Sequence, residues 1–257
     1  MSLNEENKPG EARCPDHPST KELIKNDKGG APKPLLEESY KFLGDEDIQY
    51  ERYTSEKFAE AEDEQMWSRV WQWACREEHI PEPGDYYVYD VGDRSAIIVR
   101  TEDNEIKVYY NSCLHRGTQL KPANSSGFCK ELKCPFHGWT WPLKGELEFL
   151  PCDWDFPHVN KEEFTLPEIK FDIWCGFIFI NFDENAKPLN QYLGVLPDHF
   201  ENWKLEDRYI ETHVIKKLPA NWKVSAEAFL EAYHVLETHS EGVYTVSYTH
   251  LRAHETL

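Results

Sequence analysis

The 257-residue sequence has no apolar run approaching the ~20 residues of a membrane span, and its polar opening, "MSLNEENKPGEARC", is no secretion signal. It is also short of positive charge. Lys and Arg number 28 against 47 Asp and Glu, a formal net charge of −19, which argues against a surface built to neutralise nucleic-acid phosphates. The seven cysteines are odd in number and their spacing draws no disulfide framework. Without a secretion signal the expected setting is a reducing cytoplasm, where clustered Cys and His serve metals. What the chain does have is aromatic side chains, 14% of its residues including nine Trp. That composition marks a globular protein, long enough for one large domain or two ordinary ones.

Residues 1–38, rich in charge, Pro and Gly, read as a mobile arm, with Cys14 and His17 inside it. A helical segment is expected over 39–74. There "TSEKFAEAEDEQMWSRVWQWACREEH" opens with a capping signal at Thr54 or Ser55 and carries Phe58, Met66, Trp67, Val70 and Trp71 at helical spacing. After "IPEPGD" the pattern changes to short β-branched and aromatic runs: "YYVYDV", "SAIIVRT", "IKVYYNS" and "FDIWCGFIFINF". Turn signals separate them, and a compact β domain is expected over 75–185. From 186 the character is mixed, ending in the helical "NWKVSAEAFLEAYHVLETH".

Two loops in the β segment carry chemistry. "CLHRG" supplies Cys113 and His115, and "CPFHGWTW" supplies Cys134 and His137, with eighteen residues between the two pairs. A tetrahedral zinc site is one reading, since two Cys and two His satisfy it. Zinc loops usually offer two like ligands each, however, and here each loop offers one of each kind. That suits an asymmetric two-iron cluster, with both thiolates on one iron and both imidazoles on the other. Gly117 and Gly138 let the backbone turn closely and aim amides at the sulfurs, while Trp139 and Trp141 shield one side. Cys75, Cys129, Cys152 and Cys175 read as structural thiols.

The helical segment bears a second constellation. At about 100° per residue, Glu227, Glu231 and His234 fall within about 60° of one another, on a helix otherwise apolar nearly all round. Such a helix is expected to be buried, with its polar stripe facing partners or a metal. His239 lies about 140° from His234 on a regular helix, so the two share an ion only if the helix ends or bulges between them.

The paired loops resemble the Rieske [2Fe–2S] signature. With "NWKVSAEAFLEAYHVLETH" and the lead-in "MWSRVWQWACREEHIPEPGD", the chain resembles the large (alpha) subunit of the Rieske non-haem iron oxygenases, the aromatic-ring-hydroxylating dioxygenase family. The resemblance implies an α+β chain: an all-β Rieske domain, then the start of a helix-grip catalytic domain over 186–244. Cys113 and Cys134 would hold one cluster iron and His115 and His137 the other. His234 and His239 would be two ligands of a 2-His-1-carboxylate Fe(II) site with positions open for O₂. Asn221 matches the family's lead-in near that iron. Glu231 stands where the family usually has the Asp that carries electrons between subunits, a variant resembling members that act on quaternary ammonium compounds.

The implied partners are a reductase, with or without a ferredoxin, O₂ and a small organic substrate, in a homotrimer or an alpha/beta hetero-oligomer. The third iron ligand and most of the helix-grip domain are expected beyond residue 257. The ending "VSYTHLRAHETL" does not resemble the family, and 245–257 reads as a non-native tail, which would make His250 and His254 accidental. A stand-alone Rieske electron carrier is the alternative reading, but a carrier has no use for "EAYHVLETH".

Overall fold

The computed structural model describes residues 20–26, 28, 46–230 and 234–239. It divides into two units, Met1–Tyr50 and Glu51–Leu257. In the first unit, part of the segment read as an arm forms helix α1 (Thr20–Asn26). Cys14 and His17 lie outside the described residues.

The second unit opens with α2 (Glu51–Thr54) and α3 (Glu56–Glu62), continued by a π turn over Asp63–Trp67. Ser55 caps α3, its hydroxyl accepting from the Phe58 amide at 3.3 Å, as the capping signal predicts. The helix does not run on to His79. Gln72–Arg76 is instead strand β1, which corrects the reading of 39–74 as wholly helical. Trp67, Val70, Trp71 and Ala74 keep a helical period, but the β1 backbone finds a strand partner about a hundred residues away. A bulge between Trp73 and Cys75 also removes the period-two alternation by which a strand is recognised.

The expected β domain is present. β2 (Asp85–Val91), β3 (Arg94–Arg100) and β4 (Ile106–Tyr110) form an antiparallel sheet in the order β4-β3-β2, with β5 (Ser126–Phe128) on the far side of β2. The run Ala96-Ile97-Ile98-Val99 in β3 has no exposed surface, because both faces of the strand are covered. Its period of two divides the interior. Ile97 and Val99 join Val88, Tyr109, Leu132 and Trp141 in one core. Ala96 and Ile98 join Ile80, Val108, Ile178 and Ile180 in another. The second core is closed by a sheet of order β1-β9-β8, built from β8 (Lys170–Trp174) and β9 (Phe177–Asn181). The first core carries the two Cys/His loops.

The second loop sits on a hairpin of β6 (Glu131–Lys133) and β7 (Thr140–Pro142). Beyond the sheets come α4 (Leu189–Leu193), α5 (Leu196–Phe200), α6 (Trp222–Glu227) and α7 (Val235–Thr238). The expectation of one buried helix over 221–239 is therefore corrected: α6 is six residues long and is followed by Phe229 and Leu230 at 89% and 81% exposure.

Candidate metal centres

The first Cys/His loop leaves β4 at Asn111, and one buried amide closes its base. Asn111 Nδ2 donates to the Lys121 carbonyl at 2.8 Å and to Ser95 Oγ at 3.0 Å. Its Oδ1 accepts from the amides of Leu120 at 2.9 Å and Lys121 at 3.0 Å. Asn111→Ala would leave the Leu120 amide buried without a partner, so it should lower unfolding stability by about 2–3 kcal/mol in urea titrations. Wild-type stability in that variant would show that the loop holds itself.

Both loops use the same backbone closure. The Cys113 carbonyl accepts from the Gly117 amide at 2.8 Å, and the Cys113 amide donates to the Thr118 carbonyl at 2.8 Å. The Cys134 carbonyl accepts from Gly138 at 3.0 Å, and the Cys134 amide donates to Trp139 at 2.8 Å. Gly117 and Gly138 turn the chain at φ of 74° and 76°, a left-handed conformation that costs glycine little.

The donors sort by kind. Cys113 and Cys134 are buried and their thiols are in hydrogen-bonding contact, while His115 is half-buried and His137 exposed. The two imidazoles have ring centroids 4.7 Å apart. Burial pushes the Cys113 thiol up from its ordinary value and Cys134 adds to the rise, opposed by the amides of His115 and Arg116 donating toward the sulfur. Burial also pushes His115 down, helped by His137 and Arg116, so its imidazole is held toward the neutral, ligating form.

Trp139 lies flat on His115, centroids 5.2 Å apart and planes within 5°. It is buried with Trp141, whose indole donates to the Phe164 carbonyl at 2.9 Å. The Nδ1 atom of His115 is buried with no hydrogen-bond partner. An orphaned nitrogen on an imidazole set edge-on to a second one, together with two buried thiols and amides aimed at sulfur, fits a cluster that takes two thiolates on one iron and two imidazoles on the other.

The second constellation divides. His234 and His239 come together with ring centroids 5.6 Å apart, His234 leading into α7 and His239 following it. The chain therefore brings together two imidazoles that a straight helix would hold apart, and their separation suits two ligands of one ion. Glu231 lies outside the described residues. Glu227, the other carboxylate of the stripe, faces elsewhere: Tyr53 Oη donates to it at 2.9 Å and Arg52 at 3.3 Å. Asn221 caps α6, its Oδ1 accepting from the Lys223 amide at 3.0 Å and its Nδ2 donating to the Tyr53 carbonyl at 2.9 Å. Both ends of that side chain are engaged in these hydrogen bonds.

Comparison with known proteins bears on both constellations. The family "Rieske [2Fe-2S] domain" matches residues 70–160, and "Ring hydroxylating alpha subunit (catalytic domain)" matches residues 198–255. The chain belongs to the Rieske non-haem iron oxygenase alpha subunits. Benzene 1,2-dioxygenase subunit alpha of Pseudomonas putida is 33% identical over 199 residues, covering 74% of this chain and 44% of the relative. The carnitine monooxygenase oxygenase subunit of Acinetobacter baumannii is 33% identical over 203 residues, 73% of this chain and 51% of the relative.

Among solved structures, a quaternary ammonium Rieske monooxygenase with gamma-butyrobetaine has a TM-score of 0.68 at 28% identity, covering 74% of this chain and 55% of that one. Naphthalene 1,2-dioxygenase from Rhodococcus sp. with indole bound has a TM-score of 0.64 at 31% identity, covering 73% and 44%. The chain spans about half the length of the curated relatives it matches. As a Rieske oxygenase alpha subunit it belongs with a [2Fe–2S] cluster and a mononuclear iron. The catalytic-domain match extends to residue 255, into the segment 245–257 read above as a non-native tail, and those residues lie outside the described ones. No helix among the described residues is long and apolar enough to cross a membrane.

Proposed function

We propose that this chain is the amino-terminal part of the oxygenase component of a multicomponent Rieske oxygenase. It would take NAD(P)H-derived electrons from a reductase, through a ferredoxin where one is present, in the cytoplasm and in a homotrimer or alpha/beta assembly. The substrate is a small organic molecule, with an arene the first class to test and a quaternary ammonium compound the second. The observation that carries the reading is the pairing of donors: two buried thiols and two facing imidazoles in one place, and two further imidazoles 5.6 Å apart in another.

When bound, the cluster supplies single electrons, and the mononuclear iron supplies open positions where O₂ is activated. Cys113 and Cys134, both buried, would hold one cluster iron. His115 and His137 would hold the other, and the exposure of His137 suits that end to the entry and exit of electrons. Trp139, flat against His115, keeps water from the imidazole and fixes its plane. His234 and His239 would be the imidazole ligands of the mononuclear site, and Glu231 would bridge toward a neighbouring subunit's cluster.

In the complete subunit, NADH- and substrate-dependent oxygen uptake should require the reductase. Glu231→Gln should leave both metal centres filled yet slow turnover about 10–100-fold, while Glu231→Asp keeps much of the rate. Normal turnover in the Gln variant would reduce Glu231 to a structural partner.

A further inference from the structure

Lys223 is the only buried lysine among the described residues. Its side chain is 4% exposed and that of its partner Glu62 14%. Lys223 Nζ donates to both carboxylate oxygens, at 2.7 and 2.9 Å. The ammonium is also boxed by rings, 5.1 Å from the centroid of Phe58, 5.3 Å from Trp222 and 5.9 Å from Tyr53. Phe58 and Tyr53 come from the N-terminal helices, so the charge is shared between two parts of the chain 160 residues apart.

The neighbouring contacts all join the same two parts. Trp222 packs edge-on to Trp67 at 5.1 Å, and its indole donates to Glu62 at 3.4 Å. Asn221 is tied to the Tyr53 carbonyl, and Glu227 to Tyr53 Oη and Arg52. Lys223 and Glu227 are four residues apart and so share one face of α6, and that face is laid against Glu51–Trp67. Adhesion alone needs only apolar groups. A buried ion pair adds little net stability over them, because desolvating the charges offsets their attraction, but it is satisfied in one rotation and one axial position only.

We propose that Glu62 and Lys223 are positioning residues for the mononuclear iron site: their ion pair sets the rotation and register of α6, and so the placement of the chain that runs on to His234 and His239. The Glu51–Trp67 helices are then part of the catalytic architecture although they precede the Rieske domain in sequence. The link to metal rests on the reading of His234 and His239 as iron ligands.

Glu62→Gln and Lys223→Met remove the pair while keeping side-chain size. Each should retain the Rieske EPR signal and the slow amide exchange of β3 and β4, while amides over 222–230 exchange about tenfold faster or more. Lys223→Arg, which keeps a cation beside the three rings, should stay near the wild-type exchange rate. In equilibrium dialysis of the 257-residue chain with Co(II), the half-saturation concentration should rise several-fold in the Gln and Met variants. A His234→Ala, His239→Ala double variant should lose that Co(II) and leave exchange over 222–230 unchanged. Unaltered exchange over 222–230 in both pair variants overturns the proposal, as does a rise spread equally over the Rieske strands. If the wild-type chain binds no more Co(II) than the double-His variant, the ligand reading fails instead, and the exchange data alone judge the clamp.

Discussion

Replacing His137 by Cys should lower the reduction potential of the cluster by on the order of 100–300 mV while leaving it assembled. A thiolate brings a negative charge to an iron that otherwise has two neutral imidazoles, and all-cysteine clusters sit near about −400 mV against about −150 to +300 mV for the His-ligated kind. His137 is the position to change, because it is exposed at the rim of the site, whereas His115 lies under Trp139 with a buried ring nitrogen. A Cys at 115 would disturb packing and charge together. The wild-type chain, produced with iron and sulfide, should be red-brown and on reduction give the low-average-g EPR signal of a His-ligated two-iron centre. A potentiometric titration followed by EPR reads the shift. A colourless protein with one zinc per chain would sink the assignment of all four ligands.

The cluster loops were legible because their chemistry is local. Each Cys/His pair and its glycine lie within five residues, and the identical closure of the two loops follows from that spacing. The run "FDIWCGFIFINF", read as one segment, is in fact the hairpin β8–β9. Its turn, Cys175-Gly176, takes positive φ at both residues, the pattern that two-residue hairpin turns favour. β1 was hidden, since its pairing partner β9 is remote in sequence and its bulge breaks the alternation.

Asn111 was missed for a different reason. A lone Asn after a strand reads as an ordinary turn residue, and only the fold shows it making four hydrogen bonds across the base of the first loop. The polar stripe on the helical segment was read as one feature. The structure shows that its first carboxylate, Glu227, belongs to a contact with Tyr53 and Arg52 that no helical wheel could reveal.

The 257-residue chain should assemble the Rieske cluster and yet hydroxylate nothing. Its four cluster donors stand on loops anchored to strands whose two cores are closed, with Ile97, Ile98, Leu132 and Trp141 fully buried. The second site has a different standing. His234 and His239 approach one another, but among the described residues no carboxylate joins them in a three-donor group. Two neutral imidazoles hold Fe(II) weakly beside a completed facial triad, and a ligand pair carried on a single helical turn is poorly fixed in position.

The surroundings add to this. Val214 and Ile215 are each 79% exposed, and Phe229 and Leu230 more so, an apolar surface that should drive association as protein concentration rises. Metal and sulfide analysis should therefore give close to two irons per chain, each matched by labile sulfide, with light scattering that grows with concentration. Supplying reductase, NADH and an arene or quaternary ammonium compound should yield no coupled oxygen uptake. A third, tightly held iron accompanied by product would place the completing ligand within these 257 residues and overturn the division of labour argued for the two constellations.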